Sequence, residues 1–276
     1  APSMPELVVS VIASFKGSPD VAVGNVIGSN IFNIGLVLGT TSLIISVPVV
    51  RVTMRVEWPF LLLASVATLG LMFTGSLNRI AGIVMLVLLG AFLWRMVALS
   101  RKEVANAEPP DLAPAPRSGA WVGLQFGYLA AGLALMLLGA DWMVRGSTDI
   151  ARVLGVSERI IGLTIVAMGT SLPELASSLI AAVRGRTDLA LGNVLGSCVF
   201  NLLAILGTAA LLKPVVVNPE FFEFASLRHL GDVWWMLAFT LLIGPMMYVR
   251  HKRIGRIDGA ILTGVFAVYM VQLLAA

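Results

Sequence analysis

One 37-residue segment occurs twice in this chain, and each copy places a glutamate inside an apolar run. Ser3–Gly39 reads SMPELVVSVIASFKGSPDVAVGNVIGSNIFNIGLVLG, and Ser171–Gly207 reads SLPELASSLIAAVRGRTDLALGNVLGSCVFNLLAILG. They align without a gap at an offset of 168, with about half of the positions identical. The identities include Pro5/Pro173, Glu6/Glu174, Asn25/Asn193, Gly28/Gly196, Ser29/Ser197 and Asn33/Asn201. A carboxylate, amides and hydroxyls repeated at fixed spacing in apolar sequence restrict the fold to two copies of one unit. Their polar groups must meet across a pseudo-two-fold axis. Internal repeats with interrupted helices in matching places are the sequence pointer to a site at the middle of a bilayer.

The solvent for such a unit follows from composition. Apolar residues make up 58% and charged residues 12%, with a mean hydropathy of +0.94. A soluble domain carries roughly 25% charged residues. Runs such as Phe60–Met72, Ile80–Val97, Leu124–Leu138 and Leu237–Val249 reach spanning length with their flanks, a span needing about 20 residues. Most lack the polar stripe at period 3.6 that a soluble helical core would show. The fold class is therefore an all-α polytopic membrane protein, with the lipid bilayer as partner. The formal charge of +4 does not point to nucleic acid, because the basic residues stand at segment ends. The single cysteine, Cys198, excludes an intrachain disulfide and reads as a small packing residue.

Nine apolar segments are read, at about 3–15, 21–47, 58–74, 80–99, 121–143, 160–183, 189–212, 233–249 and 259–274, the first too short to span alone. The stretch SRKEVANAEPPDLAPAPRSG at 100–119 is a flexible linker. It divides the chain into a first half at 1–99 and a second at 120–276. The two repeats lie five segments apart, an odd number, so they cross the membrane in opposite directions. With the linker inside, twelve Lys and Arg face that side and seven the other, which favours a cytoplasmic linker and an external C-terminus. The second half also has one helix and a half-helix ahead of Ser171 with no counterpart ahead of Ser3. If the halves match, the first lacks that much at its N-terminus.

A bare carboxylate in apolar surroundings must be protonated, paired or bound to a cation. No Lys or Arg shares a segment core with Glu6 or Glu174. Two carboxylates with carbonyl and hydroxyl oxygens suit a hard cation such as Ca²⁺ or Na⁺, and the lack of thiol and imidazole disfavours soft metals. Pro5 and Pro173 directly precede the glutamates and predict helix breaks at Pro2–Ser3 and Gly169–Thr170, which would free carbonyls toward a cavity. Ser3 and Ser171 add hydroxyls one turn from each carboxylate. Ser29 with Asn33, and Ser197 with Asn201, are four apart and share a helix face, with Asn25 and Asn193 a further turn back. Such amides and hydroxyls suit Na⁺, or else act as hydrogen-bonding glue between helices. The glycine pairs Gly24/Gly28 and Gly192/Gly196 predict close backbone approach. Asp20, Asp141, Glu158 and Asp188 lie near segment ends and read as interfacial, as do His229 and His251 in loops.

Both segments resemble the α-repeats of the sodium/calcium exchangers, in the Ca²⁺/cation antiporter superfamily, through S-[LM]-P-E and G-N-x-[IL]-G-S-x-x-x-N. The resemblance implies a bacterial-type chain, short at its N-terminus, with two inverted five-helix halves. It implies Ca²⁺ bound by Glu6 and Glu174 with nearby carbonyls, and Na⁺ sites drawing on Ser3, Ser29, Asn33, Thr170, Ser171, Ser197 and Asn201. Residue 2 is proline where the family usually has a small or hydroxylated residue, so one hydroxyl is lost. Asn201 replaces the Asp of some members, including potassium-dependent ones, and argues against K⁺ co-transport. The expectation is an antiporter in the cell membrane, with Ca²⁺ and Na⁺ as cargo and no cofactor. Proton coupling through the same glutamates is the alternative. An intramembrane enzyme is a distant third, since no HExxH is present and no His or Lys in a core segment stands near Ser3 or Ser171.

Overall fold

The computed structural model describes residues 3–105, 119–184, 187–226, 229–249 and 252–275. Among these, nine helical rods follow the nine apolar segments. They are α1 (Met4–Lys16), α2 (Pro19–Ile44), α3 (Thr53–Met72), α4 (Arg79–Ala105), α5 (Gly119–Leu154), α6 (Glu158–Val183), α7 (Thr187–Phe200, continuing to Leu212), α8 (Asp232–Val249) and α9 (Arg256–Ala275). Six of them are long and apolar enough to cross a membrane. The linker reading at 100–119 falls mostly on residues outside the description, as do Pro2 and His251 and the side chain of Asp188.

Local chemistry sets the ends of the repeat helices. Pro5 lies in the first turn of α1, where a missing N–H costs nothing. α1 stops at Gly17, whose φ of 83° is left-handed and whose N–H turns back to the Ser14 carbonyl. Pro19 and Asp20 then open α2, a proline and a carboxylate both suited to a helix start. Ser157 caps α6 by accepting from the Ile160 N–H at 3.3 Å.

Two short antiparallel ladders test the parity argument. Val47–Pro48 (β1), after α2, pairs with Arg253–Ile254 (β6), before α9. Ser76–Leu77 (β2), after α3, pairs with Val215–Val216 (β3), after α7. One ladder closes each end of the bundle, and each joins the two halves, as inverted halves require. A third ladder, Phe224–Ser226 (β4) with His229–Leu230 (β5), forms a hairpin ahead of α8.

α2 occupies the centre, buried at every position from Val21 to Phe32. The outer helices turn large apolar side chains outward, Ile80, Trp94 and Val271 each being about 70% exposed, a surface fit for lipid rather than water. Two glycine crossings lock the halves together. A Cβ on Gly259 of α9 would lie 2.6 Å from the Gly39 carbonyl at the end of α2. A Cβ on Gly82 of α4 would lie 2.7 Å from the Gly207 carbonyl at the end of α7. Gly39 and Gly207 are the matching last residues of the two repeats, so each repeat ends by crossing the last helix of the opposite half.

Two expectations need correction. Helix α6 does not break at Gly169–Thr170; its Ala167–Val183 stretch is α-helical straight through Pro173. A proline removes one N–H, here the donor for the Gly169 carbonyl, and packed neighbours hold the flanking turns. The irregularity lies earlier, in a π turn at Gly162–Val166. The glycine pairs also differ. Cβ atoms on Gly24 and Gly28 would meet the backbone of Arg159–Leu163 at 2.7–3.2 Å, whereas Gly196 has nothing within 4 Å and Gly192 meets a side chain, Glu57. The offset of 168 maps Arg159–Ala167 to positions ahead of the first residue of the sequence, so the second pair has no matching partner among the described residues.

Candidate cation site

The nine candidate residues of the sequence reading, Ser3, Glu6, Ser29, Asn33, Thr170, Ser171, Glu174, Ser197 and Asn201, are all buried, Glu6 and Glu174 completely. The repeats interlock there. Ser3 Oγ donates to Glu174 Oε1 at 3.1 Å, and Ser171 Oγ donates to Glu6 Oε1 at 3.1 Å. Each serine therefore holds the carboxylate of the other repeat rather than that of its own helix.

Behind this pair lies the amide set. π turns begin at both matching asparagines, Asn33–Leu38 on α2 and Asn201–Ile205 on α7. The first packs on α6, which carries Glu174, and the second on α1, which carries Glu6. Single π turns inside α-helices recur at functional sites, because the extra residue re-aims side chains and loosens backbone carbonyls.

The polar atoms left over define what the site can do. Glu6 Oε2, Glu174 Oε2, Ser29 Oγ, and both Oδ1 and Nδ2 of Asn33 and Asn201 are buried without a hydrogen-bond partner among the described residues. Leaving one such neutral group unpaired costs about 1–3 kcal/mol, and more for a charged one. Five of these atoms are oxygens, four of them in matching pairs, Glu6 with Glu174 and Asn33 with Asn201, and the fifth is Ser29 Oγ. Hard oxygens in a dry, two-fold arrangement suit an alkali or alkaline-earth cation. No group of three or more His, Cys, Asp or Glu gathers among the described residues, so the donor set is two carboxylates with neutral oxygens.

Asn25 behaves differently from Asn33. Its Nδ2 donates to Ser10 Oγ at 2.9 Å and to the Glu6 carbonyl at 3.3 Å, and its Oδ1 accepts from Thr170 Oγ1 at 3.0 Å. For this residue the reading as helix glue holds. Its counterpart Asn193 donates instead to Ser177 Oγ, which in turn donates to the Glu174 carbonyl at 3.0 Å.

Three buried carboxylates, Glu57, Asp232 and Asp258, escaped the sequence reading. Glu57, in the first turns of α3, accepts from Thr53 Oγ1 at 2.6 Å. Asp232, opening α8, is 3% exposed and pairs with Arg159, with Tyr269 OH donating to it at 3.2 Å. The signal for Glu57 and Asp232 was an acidic residue one or two positions before a tryptophan at the head of an apolar run. The interfacial reading fits Asp141, which pairs with Lys16 and Arg145, and Asp20, which accepts from Asn218 at 3.1 Å.

Comparison with known proteins matches residues 1–98 and 124–275 to the family described as sodium/calcium exchanger protein. CaxA of Alkalimonas amylolytica, an antiporter by name, is 38% identical over 286 residues, covering 99% of this chain and 85% of its own. Inner membrane protein YrbG of Escherichia coli strain K12 is 35% identical, covering 98% of this chain and 82% of its own. Among solved structures, the sodium-calcium exchanger NCX_Mj soaked with Na⁺ and Sr²⁺ superposes with a TM-score of 0.68 at 29% identity, over 98% of this chain and 82% of that one.

Proposed function

The chain belongs to the sodium/calcium exchanger family, and we propose that it is an antiporter moving Ca²⁺ against Na⁺ through the site between Glu6 and Glu174. The family consists of transporters rather than enzymes, and the chain is an integral membrane protein. The observation that carries the assignment is the set of buried polar atoms without partners at matching repeat positions. A cation is a ligand suited to unpaired oxygens contributed by both repeats.

On this reading Glu6 and Glu174 bind the divalent ion through their free Oε2 atoms, with Ser3 and Ser171 holding Oε1. Na⁺ uses the same carboxylates with the neutral oxygens of Ser29, Asn33, Thr170, Ser197 and Asn201. Because the carboxylates are shared, Ca²⁺ and Na⁺ exclude one another, which is what exchange demands. Residues 1–99 and 120–276 form the two halves around the site. The linker at 100–119 faces the cytoplasm, the C-terminus faces outward and the cell membrane is the location. The Lys and Arg bias and the likeness to an inner membrane protein support this placement.

The test is ⁴⁵Ca²⁺ uptake into vesicles containing the full chain, comparing an outward Na⁺ gradient with an outward proton gradient of equal size. Uptake driven by Na⁺ and lost in Glu174→Gln supports the proposal. Uptake driven only by protons moves the coupling to H⁺ on the same glutamates. No uptake under either gradient overturns it.

A further inference from the structure

We propose that Asn25 is a positioning residue for the cation site, one that takes the proton of the Thr170 hydroxyl so that this oxygen presents its lone pairs to the ion. The proposal rests on the site reading above.

A hydroxyl carries one proton and two lone pairs, and it ligates a cation only when that proton points elsewhere. The Thr170 hydroxyl has three acceptors within 3.3 Å, Asn25 Oδ1 at 3.0 Å and the carbonyls of Val166 at 3.1 Å and Ala167 at 3.3 Å in its own helix, and it also interacts with the Glu6 carboxylate. Asn25 is the nearest of the three, and its amide cannot turn over. Both hydrogens of Nδ2 are engaged, with Ser10 Oγ and with the Glu6 carbonyl, so Oδ1 must face Thr170.

Position and burial make the arrangement firm. Asn25 stands on α2 but touches α1 and α6 through these bonds, and Asn25 and Ser10 are fully buried. The side chain thus sets the backbone beside one carboxylate and a hydroxyl from the opposite repeat together. The second repeat does not reproduce this. Asn193 turns to Ser177, and the residue matching Thr170 is Pro2, which has no hydroxyl to orient. The site therefore contains one hydroxyl at this position, and its orientation depends on one asparagine.

The experiment is a double-mutant cycle read as Ca²⁺ and Na⁺ dissociation constants by calorimetry on the purified full chain, with thermal stability followed in parallel. Asn25→Ala and Thr170→Val are each expected to weaken Ca²⁺ binding about tenfold. The double variant should be no weaker than either, because both remove the same ligand. Thr170→Ser, which keeps the hydroxyl, should restore binding to within about threefold. If Asn25→Ala does not fold, Asn25→Gln keeps both the accepting oxygen and the donating amide and should bind within about threefold of the unsubstituted chain; binding as weak as Thr170→Val overturns the proposal. Additive losses in the cycle would show Asn25 to be structural and overturn this assignment alone. If the unsubstituted chain binds neither ion, the site reading fails and takes this proposal with it.

Discussion

Ser171 Oγ lies 3.1 Å from Glu6 Oε1, although 165 residues separate them, and Ser3 stands in the same relation to Glu174. The crossed pair means that neither carboxylate is placed by its own repeat. The two are set jointly, each with one oxygen held and one free. A hydrogen bond to a charged acceptor contributes about 1.5–3 kcal/mol, and 1.4 kcal/mol is tenfold in affinity. Ser3→Ala and Ser171→Ala should therefore each weaken Ca²⁺ binding by about 10- to 100-fold, and by similar factors. Calorimetry on the two variants decides this, and a loss confined to one of them would show that the pseudo-symmetry does not extend to the energetics.

Glu174→Gln separates charge from shape. Without a cation, Glu174 Oε2 is a buried oxygen lacking a partner among the described residues. Removing the charge therefore relieves the ion-free protein while abolishing tight Ca²⁺ binding. The expected result is a higher Tm than the parent in chelator, and loss of the rise in Tm that Ca²⁺ gives the parent by binding the folded state. A variant that melts lower in chelator, yet still gains Tm with Ca²⁺, would place the ion elsewhere.

Glycine tolerance along α9 should follow the helix crossings. Gly259 lies against Gly39 and Leu43 backbone, with a Cβ coming within 2.6 Å of the Gly39 carbonyl, while Gly264 has nothing within 4 Å. Overpacking of this kind costs about 1–3 kcal/mol. Gly259→Ala should lower Tm by several degrees, and Gly264→Ala should leave it unchanged or raise it slightly, since alanine favours helix over glycine. Equal sensitivity at both positions would argue against the α2–α9 crossing as described.

Much of this architecture was legible because the signals were periodic or repeated. The nine segments and the inverted relation of Glu6 and Glu174 need only hydropathy, parity and alignment, and the full set of nine candidate residues, all of them buried, came with the family resemblance of the repeats. What stayed hidden depends on geometry that no spacing encodes. The crossed serines could not be read, since Ser3 is closer to Glu6 in sequence than to Glu174. Pro173 misled because a proline predicts a break, whereas a packed helix can lose one bond and continue, with its irregular turn at Gly162–Val166 instead. The π turns at Asn33 and Asn201 left no mark beyond the asparagines themselves. Glu57, Asp232 and Asp258 were missed because a carboxylate at a segment end looks interfacial, and only the fold shows that it is buried.

The ion pair between Arg159 and Asp232 provides the sharpest test of that last point. Arg159 is 12% and Asp232 3% exposed at the side chain, and the guanidinium also reaches Glu220 at 3.0 Å. Deleting one partner of a buried pair leaves an uncompensated charge and costs about 3–5 kcal/mol, whereas replacing both with neutral groups of similar size is often close to neutral. Arg159→Met should accordingly lower Tm steeply, and Arg159→Met with Asp232→Asn should recover most of the loss, Tyr269 still donating to the new amide oxygen. The pair between Lys16 and Asp141, with both side chains about 30% exposed, makes the contrast. Water screens it, and Lys16→Ala should change stability far less. Thermal melts of the three variants settle the order; a double variant as unstable as Arg159→Met would mean that the arginine acts through its packing over the Phe221 ring rather than through Asp232.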